Sequence, residues 1–255
     1  MSIFKGRYKI YTSYYPSGDF AMRSIALAKN NAVKYPSCLS TFTQDNAKIF
    51  PHPEVRNILN YHSGQTILFE DDTIHYLYEI VTGTVKTYTI LNDGRRQITG
   101  FYTKDDILGL PARGRYFYSA EAITDTTVCY HTLSRMEQLL QSNPDLAQKM
   151  IEIAYHQLSD THAQLVSLGR KKPDERVATF LLNCQRWTTI QVPSQEAVVS
   201  LPMSRLDIAD YLGLTQETVC RVFSKFNRAG LIKLLSASQF TLKDQKQLSA
   251  LAQTL

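Results

Sequence analysis

No apolar run in the 255-residue sequence approaches the length of a membrane span, and the N-terminal stretch MSIFKGRYKIYTSYY lacks a signal peptide's apolar core. A cytoplasmic protein without membrane contact is expected. Cysteine is scarce and scattered. Cys38, Cys129, Cys184 and Cys220 form no CxxC or CxxH pair, which argues against structural zinc or a disulfide framework and fits a reducing compartment. No His-x-His pair is present, so the clustered ligands that a metal-dependent jelly-roll enzyme needs are missing. The expectation is therefore no enzyme, no catalytic residue, no metal and no cofactor.

What is present is an ordinary globular composition, 44% apolar and 20% charged, in a chain long enough for two cores. The net charge of +5 is unevenly spread: Lys+Arg against Asp+Glu is 7 to 2 over residues 1–50, 9 to 14 over 51–169, and 12 to 7 over 170–255. The basic C-terminal part carries the most informative stretch, SRLDIADYLGLTQETVCRVFSKFNR, Ser204 to Arg228. Ile208, Ala209, Leu212, Leu214, Val219 and Val222 fall where two helices around a tight turn pack against each other. Gly213 supplies the positive φ of that turn, and Thr215 caps a second helix running from about Gln216 to Asn227. Val219, Val222 and Phe226 share the inner face of that helix. Glu217, Cys220, Arg221 and Ser224 share the outer one.

A carboxylate accepts from cytosine N4 and a guanidinium donates to guanine O6 and N7, so the outer face has the chemistry of a base reader. Gln216, Glu217, Cys220 and Arg221 are the candidate base contacts. Ser204, Arg205, Thr215, Thr218, Ser224, Lys225 and Arg228 are the candidate phosphate contacts. The plainer alternative is a helical hairpin whose outer face is merely solvated.

The rest of the chain divides into a weakly structured basic extension (1–50), a β-roll (51–132), a dimerisation-helix region (133–169) and a winged helix-turn-helix domain (170–255). The extension is either a partner- or DNA-touching arm or a loosely packed tail, with Arg23 to Ala28 as a possible short helix. In the β-roll, short β-branched and aromatic runs cover Thr66 to Phe69, Tyr76 to Val81, Thr84 to Leu91, Arg96 to Tyr102 and Thr126 to Tyr130. Turns fall at Glu70 to Asp72, Thr82-Gly83 and Asn92-Asp93-Gly94. That spacing implies a jelly roll, and the fold class is α+β.

A short helix over Leu133 to Leu140 and a main helix from about Asp145 to Leu168 follow. Ile151, Ala154, Leu158, Thr161, Leu165 and Leu168 continue a heptad seam suited to a twin helix in a homodimer. Gly169 to Lys172 reads as a basic break, and Pro173 restarts a helix carrying Val177, Phe180, Leu181 and Trp187. A loop through Pro193 precedes the reader. Leu231 to Leu235 and Gln239 to Leu242 form a two-stranded wing, and Lys243 to Leu255 holds a short final helix.

In this order, barrel, long helix, basic hinge and winged reader resemble the CRP/FNR family of bacterial transcription regulators. The barrel likeness rests on SGQTILFEDD, YLYEIVTGTVKTYTILNDGRRQITGFYTKDDILGL and TTVCY, and the reader likeness on LDIADYLGLTQETVCRVFSKF. Asp71-Asp72 stands where the family usually has a turn glycine. The resemblance implies a homodimer that binds double-stranded DNA at a palindromic operator and engages RNA polymerase. Glu217 and Arg221 match the family's base-reading pair, which implies a TTGA-N-TCAA-like site.

Cyclic-nucleotide members hold the ligand with Gly-Glu and Arg-Ser pairs. Here those stretches read Leu108-Gly109-Leu110 and Tyr118-Ser119-Ala120, which argues against cyclic AMP, although Arg113 and Arg115 lie nearby. Cys129 and Cys38 are too few for the four thiolates of an iron-sulfur cluster. Cys220 resembles the cysteine of FixK-type members and is the redox candidate: oxidation would set negative charge against DNA, unless it is simply a small side chain tolerated there. A regulator controlled by an unidentified small ligand, or by haem on His62, His75 or His131, is the alternative.

Overall fold

The structure, a computed structural model, describes residues 57–110, 114–184, 188–190 and 198–253. The basic extension, Cys38, Arg113, Trp187 and Pro193 lie outside them. All described residues belong to one compact unit.

Eight strands make the roll: β1 (Ile58–Tyr61), β2 (Thr66–Leu68), β3 (Tyr76–Thr82), β4 (Thr84–Ile90), β5 (Arg96–Thr103), β6 (Ile107–Leu108), β7 (Ser119–Ala122) and β8 (Thr126–Thr132). They form two four-stranded antiparallel sheets, ordered β1-β8-β3-β6 and β2-β7-β4-β5. At the first turn Asp71 has φ 67°, a left-handed conformation that a short polar side chain tolerates. At the Asn92-Asp93-Gly94 turn, Gly94 has φ 84° and donates its N–H to Leu91 O at 2.8 Å.

β4 is buried on both of its faces from Thr84 to Tyr88, because each face has something to cover. Val85 points into the roll core with Leu68, Ile80, Ala120 and Val128. Lys86 and Tyr88 point the other way, and Tyr88 joins Ile98 and Phe101 in the core of the C-terminal domain. Ile98 and Phe101 are three residues apart and would ordinarily face opposite sides of a strand. A bulge at Thr99 returns them to one face, with Lys86 paired to Phe101 and Tyr88 to Ile98.

Two helices follow the roll. Thr132 caps α1 (Leu133–Ser142) by accepting from Arg135 N, and Asn143 caps α2 (Pro144–Arg170) by accepting from Leu146 N at 3.1 Å, with proline in the first helical position. At 27 residues α2 is about 40 Å long. Leu146, Met150 and Ile153 pack with Leu77, Ile107 and Met136. Ile151, Tyr155, Leu158 and Leu165 stand exposed on its other side. The basic break is shorter than expected. Gly169 and Arg170 complete α2, and only Lys171 and Lys172 are extended before Pro173.

The C-terminal domain contains α3 (Pro173–Asn183), β9 (Thr188–Ile190), β10 (Val198–Ser200), α4 (Arg205–Leu212), α5 (Gln216–Arg228), β11 (Ile232–Leu234), β12 (Gln239–Leu242) and α6 (Gln245–Ala252). Its sheet has four strands in the order β11-β12-β10-β9, rather than a two-stranded wing. β9 and β10 have three residues each, too few to show alternation in sequence. β10 becomes a strand because β12 offers it an edge, with Val199 opposite Phe240, and β9 in turn pairs with β10.

Candidate nucleic-acid interface

Ser204 opens α4. Its Oγ accepts from Asp207 N at 3.0 Å, and the Asp207 carboxylate accepts from Ser204 N at 3.2 Å and from Ser204 Oγ at 2.7 Å, closing a capping box. Gly213 ends the helix at φ 61°, ψ 42°. A Cβ there would sit 3.1 Å from Leu168 of α2, so the turn needs glycine both for its conformation and for room. Thr215 Oγ1 accepts from Thr218 N at 3.2 Å and starts α5.

α5 presents two different faces. Val219, Val222, Phe223 and Phe226 are buried in the domain core. Gln216, Glu217, Cys220, Arg221, Ser224, Lys225 and Arg228 are exposed, and Thr218 is half-buried. Glu217, Cys220, Arg221 and Ser224 stand together at helical spacing with no covering element among the described residues.

Three of the expected phosphate contacts have other duties here. Lys225 is paired with Asp174 of α3, and Ser204 and Thr215 serve as caps. Arg205 lies over the ring of Phe223, its guanidinium carbon 3.6 Å from the centroid. Its Nη1 is buried without a partner among the described residues, and desolvation lowers its pKa. Arg205 is thus half-buried against Phe223, unlike the exposed residues of α5.

The remaining placement is set by residues that the sequence reading did not single out. Lys86 of β4 bridges Glu121 at 3.0 Å and Asp207 at 3.1 Å. Arg96 of β5 reaches Asp207 at 2.7 Å and Asp210 at 2.8 Å. The carbonyls that α4 leaves unpaired at its C-terminal end are taken up from three directions. Gln97 Nε2 donates to Asp210 O, Gln164 Nε2 donates to Tyr211 O, both at 2.7 Å, and Arg176 Nη1 donates to Leu212 O at 2.9 Å. Arg176 also donates to Leu168 O and Lys171 O, tying the end of α2 to the reader turn. The first helix of the reader is therefore gripped by the roll, by α2 and by α3. Apart from those of Arg176 to Leu168 and Lys171, these contacts join residues far apart in sequence, and no local pattern announces them.

Asp207 is pulled in two directions. Burial acts to raise its pKa, but hydrogen bonds from Ser204 and Lys86, with the Lys86 and Arg96 charges, outweigh it and hold the carboxyl below its ordinary value.

Inside the roll, tyrosines occupy much of the interior. Tyr78, Tyr116 and Tyr118 are buried with Tyr61, Tyr102 and Tyr130 packed against them. Tyr118 Oη accepts from Gly109 N at 2.9 Å, and Ser119 Oγ accepts from Glu70 N at 3.0 Å. Burial pushes the Tyr118 phenol up to about 12, so it stays neutral. A recess of about 400 Å³ remains, lined by Ile67, Leu68, Phe69, Asp72, Thr73, His75, Tyr76, Tyr78 and Tyr116. His62 and His75 are exposed, and His62 lies 3.5 Å from Asp125.

Comparison with known proteins agrees with this geometry. The cyclic nucleotide-binding domain model matches residues 58–143, and the Crp-like helix-turn-helix domain model matches residues 175–251. The nitrogen fixation regulation protein FixK of Bradyrhizobium diazoefficiens is 37% identical over 221 residues, covering 87% of this chain and 92% of that protein. The transcriptional activatory protein AadR of Rhodopseudomonas palustris is 36% identical over 194 residues, 76% of this chain and 80% of that one. The solved structure of FixK2 from Bradyrhizobium japonicum superposes with a TM-score of 0.73 at 36% identity, covering 79% of this chain and 99% of that chain. With its roll, its long helix and its reader so matched, the chain belongs to the CRP/FNR family of DNA-binding transcription regulators and is FixK-like within it.

Proposed function

We propose that the protein acts as a cytoplasmic homodimer that reads a TTGA-N-TCAA-like inverted repeat and engages RNA polymerase, without cyclic AMP and without an iron-sulfur cluster. The observation that carries this reading is the exposed face of α5, where Glu217, Cys220 and Arg221 stand free of protein cover while the opposite face is fully buried. Glu217 accepts from cytosine N4, and Arg221 donates to guanine O6 and N7. Gln216 flanks them at the helix N-terminus, and Thr218, Ser224 and Arg228 reach phosphates, joined by Lys225 once DNA replaces Asp174 as its partner. The exposed stripe Ile151, Ala154, Leu158, Thr161 and Leu165 meets its copy in a second subunit, which sets two readers one helical turn apart. Leu168 differs from the other seam positions, since it packs on the Gly213 turn. The division into extension, roll, dimer helix and reader at 50, 132 and 169 is part of this proposal. In it the roll has no catalytic role.

Against cyclic AMP stand the stretches Leu108-Gly109-Leu110 and Tyr118-Ser119-Ala120, which themselves carry neither the carboxylate nor the guanidinium expected to hold the ribose and phosphate, with Tyr118 buried in the roll core. The second reading, control by a small ligand in the roll, is favoured only by the recess beside Tyr76 and Tyr116.

Cys220 is exposed on the reading face and supplies the redox arm of the proposal. One peroxide converts its thiol to the sulfenic acid with release of water, and a second gives the sulfinic acid, a bulky anion on a surface that must approach phosphates.

The test is a titration of the purified protein against a TTGA-type palindrome and a scrambled duplex. Glu217→Ala with Arg221→Ala is expected to lower the preference for the palindrome by at least about tenfold, since a good base contact is worth about 1–3 kcal/mol of discrimination. Cys220→Ser is expected to bind normally and ignore peroxide. Unchanged preference in the double variant defeats the assignment of the reading face, and loss of binding by peroxide-treated Cys220→Ser defeats the redox arm alone.

A further inference from the structure

β3 and β8 run side by side in the first sheet, with Glu79 directly opposite Cys129 and Leu77 opposite His131. Residues two apart on a strand share a face, so Glu79, Cys129 and His131 project on the side where Leu77 packs with Met136 and Leu146. Their ligand atoms all lie within 4.8 Å of one another, and Cys129 Sγ is 3.7 Å from His131 Nε2. Cys129 is buried, while Glu79 and His131 are half-buried, so the group is screened from bulk water yet reachable.

We infer that Glu79, Cys129 and His131 form a binding site for one divalent transition-metal ion of the zinc or cobalt class, beneath the helices that lead to the reader. The sulfur–nitrogen separation suits such an ion. With zinc bonds of about 2.3 Å to sulfur and 2.0–2.1 Å to nitrogen at a tetrahedral angle, the two donor atoms are separated by about 3.6 Å. The charges suit it as well. A carboxylate and a thiolate balance a divalent cation and the imidazole adds none; as the metal–sulfur bond forms, the thiol proton leaves to solvent. Thiolate and imidazole disfavour magnesium and calcium, which take oxygen ligands.

An iron-sulfur cluster draws on about four thiolates. The other described cysteines, Cys184 and Cys220, belong to the C-terminal domain, so among the described residues Cys129 is the one thiol at this site. Three protein ligands leave a position for a water or an outside ligand. The scattered cysteines and the missing His-x-His pair hide this site in the sequence, because strand pairing brings Glu79 to Cys129 across fifty residues.

The experiment uses the full chain, reduced, stripped with chelator and titrated anaerobically with cobalt(II), then with zinc. One cobalt per chain is expected, with a thiolate-to-cobalt charge-transfer band and the strong visible bands of a four-coordinate ion, both erased by zinc. Cys129→Ser should lose the charge-transfer band. Glu79→Gln, on a half-buried side chain that keeps its volume, should hold its far-ultraviolet circular dichroism and bind cobalt at least about tenfold more weakly. Cys220→Ser should match the parent. The inference is overturned by a folded parent that gives no charge-transfer band, by a band that survives Cys129→Ser or disappears in Cys220→Ser, by full affinity in Glu79→Gln, or by co-purified iron and sulfide in cluster proportion. None of these readouts involves DNA, so failure here leaves the proposed function standing.

Discussion

Arg176 is the side chain that ties the end of α2 to the reader turn. Its guanidinium donates at 2.8 Å to Leu168 O and at 2.9 Å to Lys171 O and Leu212 O. The Leu168 and Leu212 carbonyls belong to the C-terminal ends of two helices, where the backbone carries negative partial charge and has no partner of its own. A planar fork can serve several of them at once, whereas an ammonium acts as a point charge. Arg176→Ala is expected to cost about 2–3 kcal/mol in denaturant unfolding, the scale of hydrogen bonds to a charged group. Arg176→Lys should recover only part of that loss, and hydrogen exchange should quicken at the α2–α3 junction and the Gly213 turn before it quickens in the roll. An Arg176→Lys variant with full stability would show that charge alone holds the turn.

Among the elements, α5 was the most legible in sequence, because its turn glycine, threonine cap and two-faced spacing are all local properties of the chain. The observed helix, Gln216–Arg228, departs from the expected one by a single residue. β1, β6 and β7 went unread for the opposite reason. They have four, two and four residues, and each is a strand only because β8, β3 and β4 respectively lend it hydrogen bonds. Within the site, the exposed reading face was legible, but the seating of Arg205 on Phe223 and the grip of Gln97, Gln164 and Arg176 on α4 depend on tertiary packing, the first between α4 and α5 and the second from the roll, α2 and α3.

α2 lies between these cases. Its heptad spacing is visible in sequence, and the structure adds that Ile151, Leu158 and Leu165 are more than half exposed while Leu146 is buried. Burying a leucine is worth about 1.5–3 kcal/mol, and each substitution at a two-fold seam acts twice. Leu158→Glu is therefore expected to weaken self-association by a hundredfold or more in sedimentation, with circular dichroism unchanged. The same variant should bind a half-site but lose its preference for the full palindrome. A Leu158→Glu protein that sediments as the parent does would place the dimer contact elsewhere.

At the scale of the whole molecule, the roll and the reader share both an apolar core and a charged seam, and the two respond differently to pH. Tyr88, Ile98 and Phe101 are packed among the reader's phenylalanines in an apolar contact. Lys86 and Arg96 each hold a carboxylate of their own, Glu121 and Asp210, and share a third, Asp207, which also closes the α4 capping box. Because the folded-state pKa of Asp207 is held below the ordinary 3.8, its contribution is complete above that value. It is lost as the pH falls from about 4 through the lower folded value, where the protonated acid no longer balances Lys86 and Arg96.

Mild acid should thus loosen α4 from the roll while the apolar contact persists, and hydrogen exchange in α4 should rise faster than in β8 as the pH drops below 4. Asp207→Asn removes the titrating group, so that variant should begin with faster exchange in α4 at neutral pH and show a smaller acid-induced increase there. Lys86→Met leaves Asp207 with Arg96 alone and should move the acid transition of α4 to higher pH, because the folded pKa rises toward its ordinary value when one cation is removed. An Asp207→Asn protein with the same acid profile as the parent would assign the pH response to other carboxylates and leave the charged seam with a merely structural part.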